Sequence, residues 1–474
     1  MTAIRGAVPA WAVEHVKRMG HTPGNVMDDE VARWWNLFCA QGRFYDGDRR
    51  ADGERHKTLY PAQAVAQEWA SLILNEKTEL EVADPALCEW VGERLPGFTA
   101  EQADFVARVF ALGSGAWSVD LVDGLAVVRS HDAGFAVPLE SGGAAFVDRV
   151  EVSGRRYDQL QVHTFGGVVE VGGEVLAADS WVVKTLLFDP SNHDAPLAVE
   201  GVEPVYVTGS ELPTFAFVAP AIANTYEDWT PLGVSVYDRA EDAVKAVDEA
   251  FDLFYWNMKL GKTRVLVDER ALVRDSKTGK VKGLDTVDKR LYRALEGAVG
   301  EQMPVTVFNP DLRTAQTEQA INDALSLLSW RCGLGNGYFS FDRATGLKTA
   351  TEVVASNSQL ARNIRRHQRA FGKAMCAVVR GAYAMELAAA EGRHVADADV
   401  PQVDVAWDDS VIVDEETERA AMKDDIARGL CPAWVYPVRY YGMGETDARA
   451  LTGEGDGAPG LPGLPAAADV PEEA

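Results

Sequence analysis

Apolar residues in the N-terminal quarter of the chain recur at the three-to-four-residue spacing of amphipathic helices. They are Val65, Trp69, Leu72 and Ile73 in one segment, and Phe105, Val109 and Phe110 in the next. Thr99, with Gln102 three residues later, has the pattern of an N-cap for the second segment. Gly113 and Gly115 would end that helix. The pattern therefore predicts helices as far as about residue 115.

The pattern changes after that point to short runs rich in Val, Phe and Trp, separated by Gly, Asp and Ser. The runs are Trp117–Val122, Ala144–Val152, Gly167–Val171 and Ser180–Leu187. Such runs are typical of strands joined by tight turns. We predict an antiparallel sheet region that ends near Val218.

Two further amphipathic helices are predicted, one over residues 238–261 and one over residues 315–332. Asp238 and Glu241 form a capping-box pattern at the start of the first helix, and Gly261 ends it. Their apolar stripes predict that the helices pair, burying Val247, Phe251 and Phe254 against Ile321, Leu325 and Leu328.

Between these helices, residues 262–314 predict a small α/β insert. Its alternating segments Thr263–Asp268 and Pro304–Phe308 indicate two strands. Basic side chains are concentrated in it, namely Lys277, Lys280, Lys282, Lys289 and Arg290. They could contact DNA or an acidic partner, or they could form an ordinary solvated surface. The sequence makes these two alternatives equally plausible.

A Gly-rich segment over residues 333–348 precedes the longest predicted helix. Three glycines, Gly333, Gly335 and Gly337, fall within five residues, which indicates a flexible connector. It follows a helix and lacks the full GxGxxG pattern, so a phosphate-binding loop is disfavoured. The capping-box pattern at Thr349 opens a helix that runs to Glu391, about 63 Å long. A rod of this length suggests a structure built around an axis or a subunit contact.

The C-terminal part is predicted to contain a strand at Val403–Trp407 and a charged helix at Glu415–Arg428. A further helix begins near Thr446. Residues 453–474 are rich in Gly and Pro and acidic, a composition typical of disorder. Taken together, the elements predict an α+β protein.

Composition restricts the function classes. The 474 residues include 72 acidic and 46 basic ones, for a net charge of -26, so no basic face dominates and tight wrapping of DNA is not expected. The five cysteines form no CxxC pair, which indicates free thiols. Neither a signal peptide nor an apolar run long enough to span a membrane is present, so we expect no membrane association.

The sequence contains no HExxH, Walker A or GxSxG motif. Its eight histidines are scattered, and the acidic pairs near residues 408–416 suit the start of a helix better than a metal site. We therefore expect no catalytic site, no metal and no cofactor. A hydrolase or nucleotidyl transferase is the less favoured alternative, and an activity assay would decide it.

Four segments carry a resemblance to a known family. They are LGVSVYDRAEDAVKAVDEAFDLF at Leu232–Phe254, LGKTRVLVDE at Leu260–Glu269, GLKTATEVVASNSQLARNIRRHQ at Gly346–Gln368 and VDVAWDDSVIVDEETERAAMKDDIARGLCP at Val403–Pro432. They resemble portal proteins of long-tailed phages of Gram-positive hosts, and KTATEV is the most diagnostic stretch. The similarity extends from about Tyr60 to Ala450.

The resemblance implies a fold with named parts. They are a wing at residues 1–237, stem helices at 238–261 and 315–332, a clip at 262–314, a tunnel loop at 333–348, a long wing helix and strand at 349–412, a crown at 413–452 and a tail at 453–474. The clip residues named above would dock other proteins. In the tunnel loop, Asp342, Arg343 and Lys348 would lie beside the three glycines and near the DNA.

The resemblance also implies a ring, expected to be a dodecamer, at one capsid vertex of the virion, assembled in the host cytoplasm. DNA would pass through it during packaging and ejection. Its partners would be the terminase, head–tail adaptors, the major capsid and scaffold proteins, and double-stranded DNA. Another oligomeric virion component, such as a capsid or tail protein, is the alternative, and images showing shells or tubes instead of rings would favour it.

Overall fold

The structure is a computed structural model that describes residues 7–47, 55–75, 77–171, 174–261, 264–268, 292–295, 305–308, 313–341, 350–407 and 415–453. The chain divides into two compact units, Met1–Trp407 and Asp408–Ala474. Helices and sheets are both abundant, so the predicted α+β class is confirmed.

Before the sheets, the described residues form six α-helices and one short strand, with a π-helical turn at Arg43–Gly47. They are α1 (Ala10–Arg18), α2 (Asp28–Phe38), α3 (Pro61–Ile73), β1 (Glu79–Val82), α4 (Pro85–Arg94), α5 (Phe98–Glu101) and α6 (Ala103–Leu112). The predicted apolar stripes are buried on α3 and α6, where Trp69 and Phe110 are fully enclosed. The predicted N-cap is wrong, because Thr99 lies inside α5 and its hydroxyl donates to the Thr78 carbonyl oxygen at 2.7 Å.

The predicted sheet region is confirmed, and its described residues form nine strands. They are β2 (Gly115–Val122), β3 (Leu125–Asp132), β4 (Ala136–Pro138), β5 (Ala144–Val152), β6 (Arg155–Val171), β7 (Glu174–Asp189), β8 (Asn192–Leu197), β9 (Val205–Val207) and β10 (Phe215–Val218). Two-residue turns at Asp123-Gly124 and Ser153-Gly154 have positive φ at both positions. This geometry matches the twist of antiparallel strands and fixes their register.

The strands form two sheets that share a core. One has the order β4-β5-β6-β7-β8 with β9 also paired to β7, and the other has the order β10-β2-β3. Phe146 on β5 and Ala116 on β2 belong to the same buried cluster, with Phe215 packed against it. On the opposite face of the larger sheet, Leu160 and Val162 are covered by α1.

The remaining elements of the first unit follow in chain order. They are α7 (Glu241–Leu260), β11 (Arg264–Asp268), β12 (Tyr292–Leu295), β13 (Val305–Phe308), α8 (Thr314–Arg331), α9 (Ala350–Glu391) and β14 (Val403–Ala406). The strands of the insert form a sheet in the order β12-β11-β13, and β14 pairs with β1. The structure therefore confirms a strand-containing insert between two helices.

The start of α7 differs from the expected capping box. Residues 238–240 form a 3-10 turn, and α7 begins at Glu241 without a side-chain cap. Asp238 instead accepts hydrogen bonds from the Trp34 indole at 3.0 Å and the Tyr226 hydroxyl at 2.7 Å. A carboxylate that serves tertiary donors is not available to cap its own helix. The second predicted box, at Thr349, lies outside the described residues.

The long helix α9 has 42 residues, about 63 Å, as its pattern predicts. Its buried side includes Ile364, Phe371 and Val378. Gly381, in its interior, is explained by close approach, because a Cβ atom there would lie 2.3 Å from the Pro213 carbonyl oxygen. The helix is thus packed along the sheets instead of standing apart from them.

The second unit, described by itself, contains α10 (Glu415–Ala427), α11 (Val435–Tyr441) and α12 (Glu445–Thr452). The Arg449 guanidinium lies 4.5 Å from the centre of the Trp434 ring, and Arg419 lies 5.0 Å from that of Tyr440. Cation–π contacts of this kind link its short helices. Within the described ranges of both units, no helix is both long enough and apolar enough to cross a membrane.

Candidate functional site

The two helices that flank the insert pack against each other, as their apolar stripes predict. Val247 on α7 and Ile321 and Leu328 on α8 are buried. Val247, Leu325 and Leu328 line one groove of about 260 Å³. Leu59, Pro61, Ala64, Phe339, Ser340 and Phe341 complete its lining. The groove therefore joins the helix pair to the start of α3 and to the Gly-rich segment.

Burial of the predicted stripe is incomplete. Phe251, Phe254 and Leu325 are partly buried, whereas Val247, Ile321 and Leu328 are fully buried. The pair also exposes large apolar side chains. These are Leu253, Tyr255 and Met258 on α7 and Leu327 and Trp330 on α8. A pair of helices buries one side of each member, and these five apolar side chains lie outside that contact.

Two fully buried carboxylates on α7 tie this helix to the N-terminal region. Asp248 accepts hydrogen bonds from the Tyr45 hydroxyl at 2.8 Å, the Thr58 hydroxyl at 2.9 Å and the Leu59 amide at 2.8 Å. One turn later, Asp252 accepts from the Lys57 amide at 3.2 Å. The sequence reasoning missed both residues. Their signal is the appearance of Asp at i and i+4 next to the apolar stripe.

Burial raises the pKa of Asp248, while its hydrogen bonds to Leu59, Tyr45 and Thr58 oppose that rise. Burial, together with the nearby Asp248 charge, likewise raises the pKa of Tyr45, so the phenol stays protonated and remains a donor. The network therefore has a fixed direction, with every contact donating to the carboxylate of α7.

The Gly-rich segment begins at an anchored point. The Trp69 indole donates to the Cys332 carbonyl oxygen at 3.0 Å, and the Asn363 amide donates to the Gly333 carbonyl oxygen at 2.8 Å. Gly333 has a φ of 80°, and a Cβ atom there would lie 3.0 Å from the Asn363 side-chain nitrogen. This glycine is required by both its conformation and its space. The end of α8 is thus fixed to α3 and α9.

The next residues return along α8. The Phe339 amide donates to the Ser329 hydroxyl at 3.0 Å, and the Phe341 amide donates to the Asn322 side chain at 2.7 Å. The Tyr338 hydroxyl donates to the Glu68 carboxylate. Gly335 and Gly337 both have positive φ, which allows the turns in the segment between Gly333 and Phe341. Residues 333–341 are therefore hydrogen-bonded to α3, α8 and α9, and the expected mobility of residues 333–348 stays a prediction.

Several predicted site residues lie outside the described residues. In the loop they are Asp342, Arg343 and Lys348, and in the insert they are Lys277, Lys280, Lys282, Lys289 and Arg290. Their roles in lining a channel or docking partners stay predictions.

One buried network has the composition of a catalytic triad. His131 lies between Ser118 and Asp148, with 2.7 Å from Nε2 to the serine Oγ and 3.5 Å from Nδ1 to a carboxylate oxygen. Ser118 is 0% exposed and His131 is 1% exposed, between the two sheets. Burial lowers the pKa of His131. Among the described residues, His131 Nδ1 and one Asp148 carboxylate oxygen are buried without a hydrogen-bond partner. Because the serine oxygen is enclosed between the sheets, we assign the network to the core of the fold.

Two other histidines are buried as neutral rings. His367 on α9 accepts a hydrogen bond from the Ala221 amide at 2.9 Å, and burial followed by the nearby Arg366 charge lowers its pKa to about 3. His163 is also fully buried, and burial followed by the His131 charge lowers its pKa to about 3. Within the part of the chain that the structure describes, no group of three or more His, Cys, Asp or Glu side chains could hold a metal ion.

No protein-family model and no curated protein matches the sequence. Among solved structures, the neck of a native GTA particle, computed with C12 symmetry, has a TM-score of 0.37 and 10% identity over 93% of this chain and 98% of that chain. The neck of an empty GTA particle, computed with C6 symmetry, has a TM-score of 0.38 and 11% identity over 93% and 97%. Both scores are below 0.5.

Proposed function

We propose that the chain is a phage portal subunit, which forms a ring at one capsid vertex and conducts double-stranded DNA during packaging and ejection. The observation that carries the proposal is the paired helices α7 and α8, which enclose a strand-containing insert and lead through a Gly-rich segment into the 42-residue α9. This is the order of stem, clip, stem, tunnel loop and wing helix that the four resembling segments imply.

In this proposal each part has a mechanical task. The helices and sheets before residue 238 form the wing, and α7 and α8 form the stem. The insert is the clip that docks the terminase and later the head–tail adaptors. Asp248 supports the stem assignment, because its three hydrogen bonds, one of them fully buried, fix α7 to the wing. A rigid joint of this kind would transmit force between clip and wing.

Exposed apolar side chains on the stem support assembly of identical subunits. Leu253 and Met258 on α7 are each 50% exposed, and Trp330 on α8 is 53% exposed. Large apolar groups in one region of a surface mark a contact with another protein. In a closed ring the same pair of surfaces recurs at every subunit boundary, and twelve copies are proposed here.

The conduit itself needs no catalytic group. In this proposal a separate motor hydrolyses ATP, and the net charge of -26 on each subunit limits how tightly DNA is held as it slides. The role of Lys348 and Arg343 is brief contact with phosphates in the channel.

The size of the assembly tests this proposal. We expect native mass spectrometry to find a species near twelve times the chain mass of 51.5 kDa. The double substitution Leu327→Glu with Trp330→Glu should reduce it to monomers, because two charges would be buried at each subunit boundary. Val168→Glu, at a position 74% exposed on β6, is the control and should leave the ring intact. A monomeric wild-type chain, or rings in the double variant, would refute the stem-mediated ring.

A further inference from the structure

The exposed side of α9 carries a concentrated positive charge. From residue 359 to residue 380, the exposed side chains are Gln359, Arg362, Arg365, Arg366, Arg369 and Lys373. No acidic residue occurs between residues 354 and 385. Since the chain as a whole has a net charge of -26, this stretch is opposite in sign to the chain average. The composition predicted no dominant basic face, yet the fold creates a local one.

The five cations lie on one strip of the helix. At 100° for each residue, Arg362, Arg365, Arg366, Arg369 and Lys373 fall within an arc of about 100°, and they extend over about 16 Å of helix axis. No carboxylate of the described chain forms an ion pair with any of them. We call these five residues the α9 basic strip. Their charge is therefore not neutralised within the described part of the subunit.

A cleft of about 450 Å³ continues the α9 basic strip towards β14, and Arg369 and Lys373 are on its rim. Its floor forms where the Trp407 ring packs on Gly372, whose added Cβ atom would lie 3.1 Å from that ring. Arg380, also in the lining, is fixed by donation to the Pro401 carbonyl oxygen at 3.0 Å and to Asp397 at 2.8 Å. Asp404 on β14 is the acidic residue among the lining residues that the structure describes.

We infer that the α9 basic strip binds the phosphate backbone of double-stranded DNA. Four of its five cations are arginines, which bind phosphate oxygens through paired N–H groups. Duplex DNA carries one charge for about 1.7 Å of axis, so a strip of about 16 Å spans enough phosphates to engage every member. At physiological ionic strength charges are screened beyond about 8 Å, so carboxylates farther away than this do not cancel the local attraction.

The chemistry of the α9 basic strip favours DNA over an acidic protein. Protein interfaces have an apolar centre that contributes most of the binding energy. The exposed side chains of residues 359–373 are Gln, Arg and Lys alone, with no apolar anchor among them. Contacts to DNA go mainly to phosphates and are made by such side chains. That the DNA is the viral genome rests on the proposed function, whereas the binding itself rests on the strip.

The salt dependence of binding tests the inference. We would measure the affinity of the full chain for a 30-base-pair duplex by fluorescence anisotropy between 50 and 200 mM salt. Five phosphate contacts predict that the wild-type affinity falls by about 500-fold over this range. The variant Arg362→Gln, Arg366→Gln, Arg369→Gln retains two of the contacts, so its affinity should fall by only about 12-fold.

The control variant also replaces three arginines by glutamine, but elsewhere on the surface. Arg149→Gln, Arg155→Gln and Arg156→Gln alter side chains that are 64%, 61% and 76% exposed on the β5–β6 hairpin. The control has the same net charge as the strip variant and should keep the wild-type slope. Equal slopes in the wild type and the strip variant would overturn the inference, as would displacement of the duplex by poly-glutamate at equal charge concentration.

The oligomeric state of the same samples separates this inference from the proposed function. If the wild type binds DNA through the α9 basic strip but forms no rings, the portal proposal fails and the inference holds. If rings form and the strip variant binds DNA like the wild type, the inference fails and the portal proposal holds. Circular dichroism on the strip variant, in which glutamine preserves helix propensity, should match the wild type.

Discussion

The Asp248 carboxylate on α7 accepts a 2.8 Å hydrogen bond from the Tyr45 hydroxyl, and both side chains are buried. These residues are 203 positions apart in the sequence, so the contact fixes the N-terminal region to the helix that leads into the insert. The same carboxylate also binds Thr58 and Leu59. Tension applied to the insert would therefore reach the body of the subunit through a buried polar joint.

Removal of this joint should strongly destabilise the fold. Asp248→Ala removes the acceptor of the buried Tyr45 hydroxyl and of the partly buried Leu59 amide, and we expect a loss of about 3 kcal/mol in the free energy of unfolding. Glu249→Ala, one residue away at an exposed position on α7, should change stability by less than about 0.5 kcal/mol. Urea denaturation of both variants measures the difference. Equal stability of the two would show that the network contributes nothing.

The packing of α7 on α8 predicts which of two substitutions lowers the free energy of unfolding more. Leu328 is 1% exposed, and Leu328→Ala should cost about 2–5 kcal/mol because it leaves a cavity. Phe251 is half-buried, so Phe251→Ala should cost clearly less than the 3–5 kcal/mol typical of an enclosed Phe. Denaturation midpoints compare the two directly. A larger loss for Phe251→Ala would mean that the stripe packs differently.

Acid should destabilise the protein through its buried histidines. The pKa of His367 is lowered to about 3 in the fold, while the unfolded ring titrates near 6.5. Above pH 6.5 both states are neutral. Below it the unfolded state binds a proton that the folded state does not, so stability falls by about 1.4 kcal/mol for each pH unit until about pH 3.

His367→Gln keeps an acceptor for the Ala221 amide and removes the titrating ring. Between pH 6.5 and pH 4, the stability of this variant should depend on pH less steeply than that of the wild type by about 1.4 kcal/mol for each unit. His394→Gln, at an exposed position, is the matched control. Denaturation series at several pH values would reveal the difference, and an unchanged slope in His367→Gln would contradict a neutral buried ring.

Substituting two glycines in the Gly-rich segment distinguishes the stability cost of backbone strain from the cost of insufficient space for a side chain. Gly337 has a φ of 72° with no atom within 4 Å of an added Cβ, so Gly337→Ala should cost about 1 kcal/mol through backbone strain. Gly333 has the same kind of backbone and also faces Asn363, so Gly333→Ala should cost more. Thermal unfolding of both variants tests this order. The reverse order would argue against an anchored end of α8.

Sequence periodicity predicted the elements that have a strong repeat. The stripe through Ile364, Phe371 and Val378 gave the course and end of α9, and the alternating segments gave the sheets. Helix starts were predicted less well, because Asp238 and Thr99 have cap-like positions but bond to distant groups. Local patterns do not report which tertiary donors compete for a side chain.

The site was predictable only in its outline. The pairing of α7 with α8 follows from spacing, whereas the burial of Asp248 depends on Tyr45, far away in the sequence. Glycine spacing cannot by itself distinguish a mobile loop from a turn that requires positive φ, as at Gly333. The α9 basic strip was overlooked since composition averages over the whole chain.

Electron microscopy of the purified chain in negative stain tests the central claim most directly. The portal proposal predicts closed rings with a central hole, whose class averages viewed down the axis have one rotational symmetry, expected to be twelvefold. Trp330→Glu combined with Leu327→Glu should abolish these rings. Shells, tubes or uniformly monomeric particles in the wild-type sample would contradict the proposal that this chain forms a DNA conduit.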